Sequence, residues 1–163
     1  MLYHIWPGKG ECWRWNGQRI LKHIGMFNGV WHIGIALDKS TESEATVRDA
    51  FPYGTQFTVV ENDPKRREVA TFLPLLESVE TDDPSHATFY AHAKGVRRPG
   101  EPAVHRWADL MYETCLDYWP LVERLLLDHA MAGSFKKVGM GFGGGSRSSW
   151  HYSGTFFWLA SGG

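Results

Sequence analysis

Short apolar runs alternate along the chain with segments in which apolar residues recur every three or four positions. The runs predict strands, and the periodic segments predict amphipathic helices. The predicted strands are Leu2–Trp6, Trp31–Leu37, Gln56–Glu61, Ala87–Ala93, Met131–Phe135 and Trp150–Leu159. The predicted helices are Trp13–Phe27, closed by Asn28-Gly29; Thr41–Phe51, with a capping box of Thr41 and Glu44; Arg67–Val79, which contains Pro74; and Val104–His129, which Pro120 divides.

This alternation predicts the α/β class, with a mainly parallel sheet and helices on both faces in three layers. We expect Trp31–Leu37, Gln56–Glu61 and Ala87–Ala93 to lie side by side. No internal repeat is visible, and 163 residues fit one domain that spans residues 1–163. The chain stops directly after its last predicted strand, which we interpret as a C-terminal truncation.

Charge and composition narrow the choice of partners. The chain has 17 basic and 18 acidic residues, so it has no global attraction to nucleic acid, and we expect no nucleic-acid partner. Cys12 and Cys115 are too few for a disulfide framework, which indicates a reduced, cytoplasmic protein. No apolar run reaches the ~18–20 residues of a transmembrane segment. The eight tryptophans indicate either a Trp-rich core or flat ligands.

The carboxyl edge of the predicted sheet is the expected position of a ligand, because open parallel sheets bind ligands beyond the carboxyl ends of their strands. This edge is locally basic, which favours a phosphate-bearing ligand. The candidate substrate-binding residues here are Lys9, Trp13, Arg14, Asn62, Arg66, His92, Lys94 and Arg97. Pro7–Gly10 matches no phosphate-loop motif, so it is a weak cradle or a plain surface turn. Trp13 either stacks on a ligand or packs in the core.

Two segments carry the sharpest local patterns. Strand alternation puts Tyr90, His92 and Lys94 on one face, where Lys94 meets a diphosphate or forms a structural ion pair. In the aromatic run Trp150–Trp158, His151 is the first candidate for proton transfer, and Asp109 is the second. Trp150 and Ser153 are added as substrate-binding candidates. The glycine-rich stretch Gly139–Gly145 is either a mobile loop or a lid.

Four segments resemble known glycosyltransferases. Glu61–Leu73 is similar to the Asn-x-Gly-Arg-Asp-x-x-x-Phe-Leu segment of rhamnan-synthesis-type glycosyltransferases, and Phe89–Val96 resembles their His-x-Lys segment. The helix start with Trp107, Leu110 and Tyr112 also fits. His151–Trp158 resembles the His-(Phe/Tyr)-Ser-Gly-Asn-Phe-Trp-Trp segment of small bacterial and viral glycosyltransferase-like proteins. The similar segments occur in the same order as in these families.

The resemblance implies a GT-A-like fold and the transfer of a sugar from a nucleotide-diphosphate sugar to a glycan or another hydroxyl acceptor. The nucleotide sugar is then a substrate, and no cofactor is expected. No Asp-x-Asp metal motif follows a strand, so we expect no metal site, with Lys94, His92 and Arg97 neutralising the diphosphate. The alternative is a catalytically silent nucleotide- or sugar-binding module of the same fold. The oligomeric state stays open.

Overall fold

The computed structural model describes residues 1–79, 83, 85–138, 150–152 and 154–161. In this part of the chain the strands are β1 (Leu2–Ile5), β2 (His32–Leu37), β3 (Gln56–Glu61), β4 (Ala87–His92), β5 (Met131–Gly133), β6 (Lys136–Val138), β7 (Trp150–Tyr152) and β8 (Phe157–Ala160). The α-helices are α1 (Cys12–Leu21), α2 (Glu44–Arg48), α3 (Val69–Glu77), α4 (Pro102–Tyr112) and α5 (Trp119–Leu126). A 3₁₀ turn, Ile24–Met26, follows α1, and a π-helical turn, Glu113–Asp117, joins α4 to α5.

Six strands form one sheet in the order β3-β2-β1-β4-β8-β5. Strands β1 to β4 run parallel, β8 runs antiparallel to both of its neighbours, and β6 and β7 form a separate two-stranded ribbon. The predicted α/β class with a mainly parallel sheet is confirmed. The expected strand neighbours were wrong in one respect, because β1 lies between β2 and β4. The chain adds β2 and β3 on one side of β1 and then places β4 on the other side of β1. No local sequence pattern specifies this order.

Helices cover both faces of the sheet because neighbouring strand residues point in opposite directions. Tyr3 packs with residues of α1, α4 and α5 in the larger core cluster. Leu2 packs instead with Leu75 of α3 in a smaller cluster. Helix α3 approaches β2 very closely, since a Cβ added at Gly34 would lie 2.5 Å from the Cβ of Thr71.

Several predicted boundaries need correction. Helix α1 ends at Leu21 rather than Phe27, because His23 has left the helical region and a 3₁₀ turn that contains Gly25 follows. Helix α2 is capped by Ser43, whose side chain accepts a hydrogen bond from the Thr46 backbone, so the predicted Thr41 capping box is wrong. Pro120 lies in the first turn of α5, as predicted.

The predicted strand Trp150–Leu159 is two strands, β7 and β8. Gly154 and Thr155 have φ angles of 100° and 60°, which no extended strand allows, so the chain turns there. The prediction of one continuous strand through this run is therefore wrong. Strand β6 was missed because its three residues, two of them lysines, give too short and too polar a signal.

Candidate functional site

A cavity of about 340 Å³ opens at the carboxyl ends of β1 and β4. These two strands are the point at which the strand order reverses, which is where open α/β sheets characteristically bind ligands. The residues that line the cavity are His4, Trp6, Asn62, Arg67, Glu68, His92, Ala93, Lys94, Gly95, Val96, Arg97, Arg98, Val104 and Trp107. Its volume lies at the lower end of the range for small-molecule sites.

The cavity is strongly cationic although the chain is nearly neutral. Its described lining holds four cations, Arg67, Lys94, Arg97 and Arg98, and one carboxylate, Glu68. Arg98 pairs with Glu101 at 3.6 Å. In the part of the chain that the structure describes, the other three cations form no ion pair. The described lining therefore carries a net positive charge, which attracts anionic groups.

Contacts with neighbouring residues hold Lys94 at the wall of the cavity. Lys94 lies two residues after the end of β4, and its Nζ lies 4.1 Å from the centre of the Trp107 ring. Burial lowers the pKa of its ammonium group, and the nearby Glu68 opposes that shift. The turn after Lys94 uses Gly95, with φ at 84°, and a Cβ there would lie 2.7 Å from Val104. The close packing of this turn on α4 holds Lys94 at the cavity.

The backbone of Lys94 is held by a buried amide on α1. Asn16 is fully buried, and its Nδ2 donates to the Lys94 carbonyl oxygen at 2.9 Å. Its Oδ1 accepts from the Lys94 backbone N–H at 3.1 Å and from the Tyr112 hydroxyl at 2.9 Å. Tyr112 in turn shares a hydrogen bond with Tyr3. This network joins α1, α4, β1 and the end of β4.

Trp6 and Trp107 form aromatic walls of the cavity, and several contacts hold the Trp6 ring in place. The Trp6 indole donates to the Asp38 carboxylate at 2.8 Å, and Asn62 donates to the same oxygen at 2.5 Å. Hydrogen bonds from Ser40, Trp6 and Asn62 hold the pKa of Asp38 well below its usual range. Arg97 lies 5.4 Å from the centre of the Trp6 ring. The Trp6 ring is therefore held at its edge by the hydrogen bond to Asp38, and Arg97 lies over its face.

Two histidines lie side by side at the floor of the cavity. His4 and His92 are aligned partners on β1 and β4, and both are buried. Burial, with a smaller contribution from nearby positive charge, lowers the pKa of each ring to about 3. His4 is bonded to Thr71 through Nδ1 at 2.7 Å, whereas the buried Nδ1 of His92 has no partner among the described residues. Burial therefore favours the neutral ring of His92 in the protein without a ligand, and the expectation that it helps to neutralise a diphosphate stays a prediction.

The structure brings together Asn62, His92, Lys94 and Arg97 from the predicted set. Lys9 and Arg66 are exposed and do not line the cavity. Nε of Arg66 lies 3.8 Å from Oδ2 of Asp63. The neighbouring residue, Arg67, lines the cavity instead.

The other predicted site residues lie elsewhere. Trp13 is 1% exposed in the core, so it cannot serve as an open sugar platform. Arg14 forms a two-pronged ion pair with Glu42, and Asp109 pairs with Arg19 at 3.1 Å. Trp150 and His151 belong to the β6–β7 ribbon and do not line the cavity. Ser153 and the proposed lid Gly139–Gly145 lie outside the described residues.

Several residues that line the cavity were not predicted from the sequence. Trp6 and Trp107 were read as the end of a strand and the start of a helix, and Glu68 as an ordinary helix residue. Arg67 has a positive φ of 53°, which redirects the chain after Arg66 and could not be foreseen. Asn16 was detectable in principle, because it is a polar residue on the apolar side of an amphipathic helix.

The described residues contain no group of three or more His, Cys, Asp or Glu side chains that could hold a metal ion. Among the described helices, none has the length and apolar character needed to cross a bilayer. Comparison with protein-family models, curated proteins and solved structures finds no match to this chain.

Proposed function

We propose that the cavity binds the diphosphate of a nucleotide sugar and that the protein transfers the sugar to a hydroxyl acceptor. The observation that carries this proposal is the group of three cations without ion-pair partners among the described residues, Arg67, Lys94 and Arg97, at the reversal point of the sheet. The resemblance of Glu61–Leu73 and Phe89–Val96 to glycosyltransferase segments supports it, and a GT-A-like fold is part of the same proposal.

The chemistry requires charge stabilisation at the leaving group. The bond between the anomeric carbon and the diphosphate oxygen breaks, and its electron pair leaves with the diphosphate. Lys94, which is half-buried, would stabilise that charge where fixed charges are most effective, and Arg97 would add a second cation from the exposed rim of the cavity. The acceptor oxygen bonds to the anomeric carbon and loses its proton to a base.

Glu68 is the described carboxylate that could accept this proton. It lines the cavity, and Thr155 donates to its Oε1 at 3.4 Å. The neutral ring of His92 is better suited to a hydrogen bond with a sugar hydroxyl than to charge stabilisation. In this assignment the cations hold the donor and Glu68 activates the acceptor.

The first experiment is titration calorimetry with uridine, guanosine and thymidine diphosphates. We expect at least one to bind, and Lys94→Met to weaken it about ten- to a hundredfold, since a charge-assisted hydrogen bond contributes roughly 1.5–3 kcal/mol. The matched control is Lys22→Met, because Lys22 is exposed and lies beyond the end of α1. An absence of binding by all three nucleotides, or an equal effect of both variants, would contradict the proposal.

A second candidate function is nucleotide or sugar binding without turnover. It is favoured by the presence of a single carboxylate in the described lining of the cavity. Release of free nucleoside diphosphate from a panel of nucleotide sugars separates the two functions. Tight binding with no release in the presence of varied acceptors would favour the binding module.

A further inference from the structure

The β6–β7 ribbon stands apart from the main sheet and exposes large apolar side chains. Val138 is 71% exposed, Phe135, just before β6, is 42% exposed and Trp150 is 37% exposed. Lys136 pairs with Tyr152, and Val138 pairs with Trp150, so these four side chains share one face of the ribbon. We call this the ribbon face.

The ribbon face combines these apolar groups with positive charge. Lys136, on the ribbon face, is exposed, and its Nζ lies 4.7 Å from the centre of the Trp150 ring. Lys137 is also exposed, but it pairs with His151, so its side chain lies on the opposite face of the ribbon. Amphipathic side chains of this kind are favoured at a boundary between water and a bilayer, where the stems and rings are buried and the ammonium groups stay at the surface.

The sequence around the ribbon has an unusual charge distribution. No Asp or Glu occurs from His129 to the last residue, whereas Lys136, Lys137 and Arg147 occur there. The whole chain has 17 basic and 18 acidic residues, so the part before His129 holds 14 basic residues against all 18 acidic ones. A segment without acidic residues is attracted to an anionic surface even though the whole chain is nearly neutral.

We infer that the ribbon face docks this protein on the surface of an anionic lipid bilayer. Exposed Val138 favours a bilayer over nucleic acid or an acidic polysaccharide, because an aliphatic side chain gains little from either of those but is stabilised among acyl chains. The inference does not depend on the proposed transfer reaction.

Docking would place the cavity near the bilayer. Only two residues separate Tyr152, at the end of the ribbon, from Thr155, so their Cα atoms, three steps apart along the chain, are at most about 11 Å from each other. The Thr155 hydroxyl contacts Glu68, which lines the cavity. The ribbon and the cavity are therefore neighbours on the surface of the molecule.

The test is cosedimentation of the full chain with two kinds of vesicle, phosphatidylcholine alone and phosphatidylcholine with about one third phosphatidylserine. We expect binding to the second kind, weakened by added salt, because the attraction falls off within a Debye length. Replacing both Lys136 and Lys137 by Ala should weaken it about thirtyfold. Val138→Ser should weaken it by up to about tenfold, through the loss of apolar insertion.

The matched control replaces Lys22 and Lys39 by Ala, which changes the net charge equally at exposed positions outside the ribbon. Thermal melting of each variant confirms that it is folded. The inference is overturned if anionic vesicles do not bind the protein, if the control loses as much as the ribbon variant, or if Val138→Ser binds like the original chain. Binding to single-stranded RNA or an acidic polysaccharide without binding to vesicles would also overturn it.

Discussion

The Asn16 side chain binds the backbone of Lys94 through both of its amide atoms, donating to the carbonyl oxygen at 2.9 Å and accepting from the N–H at 3.1 Å. Residue 16 is in the middle of the chain's first helix, and residue 94 follows the fourth strand. The position of the cavity lysine therefore depends on a buried amide as well as on the packing of Gly95 against α4.

Asn16→Asp should destabilise the protein strongly. The change keeps the shape of the side chain but replaces the Nδ2 donor with an oxygen, which would then face the carbonyl oxygens of Cys12 and Lys94. We expect the free energy of unfolding to fall by about 3 kcal/mol, near the upper end of the cost of an unsatisfied buried polar group. Urea denaturation measures the loss. Asn28→Asp, at an exposed position, is the control and should change stability little.

The folded protein should lose stability on acidification from pH 6.5. Burial lowers the pKa of His92 from 6.5 to about 3, so the unfolded state binds more protons in this interval, and stability falls as the pH falls. One such histidine contributes a slope of about 1.4 kcal/mol per pH unit. His92→Gln should make the slope between pH 6 and 4.5 shallower by that amount, measured by urea denaturation at several pH values. An unchanged slope would mean that His92 titrates normally in the fold.

Glu68 and His151 are rival bases, and their variants should behave differently. Glu68 lines the cavity and His151 does not, so Glu68→Gln should lower transfer by about 10²–10⁴, whereas His151→Ala should leave most of it. Nucleotide affinity should not fall in Glu68→Gln, because the change removes a negative charge beside the diphosphate. Initial rates of nucleoside diphosphate release decide the matter. The reverse pattern would restore His151 as the base.

A chelator should leave transfer largely intact. The cations Arg67, Lys94 and Arg97 line the cavity and can carry the diphosphate charge themselves. In an enzyme that uses a divalent ion for this purpose, removal of the ion causes a severe loss. The measurement compares turnover with and without EDTA. Activity that disappears with EDTA and returns with manganese would contradict the prediction.

The parts of the fold that were predicted correctly are those with strong local patterns. Strand β3 begins and ends where the apolar run Gln56–Glu61 does, and Pro120 marks the start of α5. The order of the strands was not predicted, because β1 pairs with both β2 and β4 through contacts distant in sequence. The aromatic run was misread because Thr155 adopts a positive φ that the tertiary structure imposes.

The candidate site was predicted only where it follows a strand end. Strand alternation placed His92 and Lys94 on one face, at the carboxyl edge of the sheet. Asn62 was placed at the same edge because it directly follows β3. Trp107 lies on a helix whose packing decides which side chain reaches the cavity. Asn16 acts through the backbone of Lys94, a relationship that spacing along the chain does not reveal.

The close approach of α3 to β2 has a consequence for sequence divergence. A Cβ at Gly34 would lie 2.5 Å from the Cβ of Thr71, and the Thr71 hydroxyl also forms the hydrogen bond to His4 at 2.7 Å. Positions 4, 34 and 71 should therefore covary among homologous sequences. A residue larger than glycine at position 34 requires a smaller one at position 71, and loss of the hydroxyl there removes the hydrogen-bond partner of the histidine at position 4.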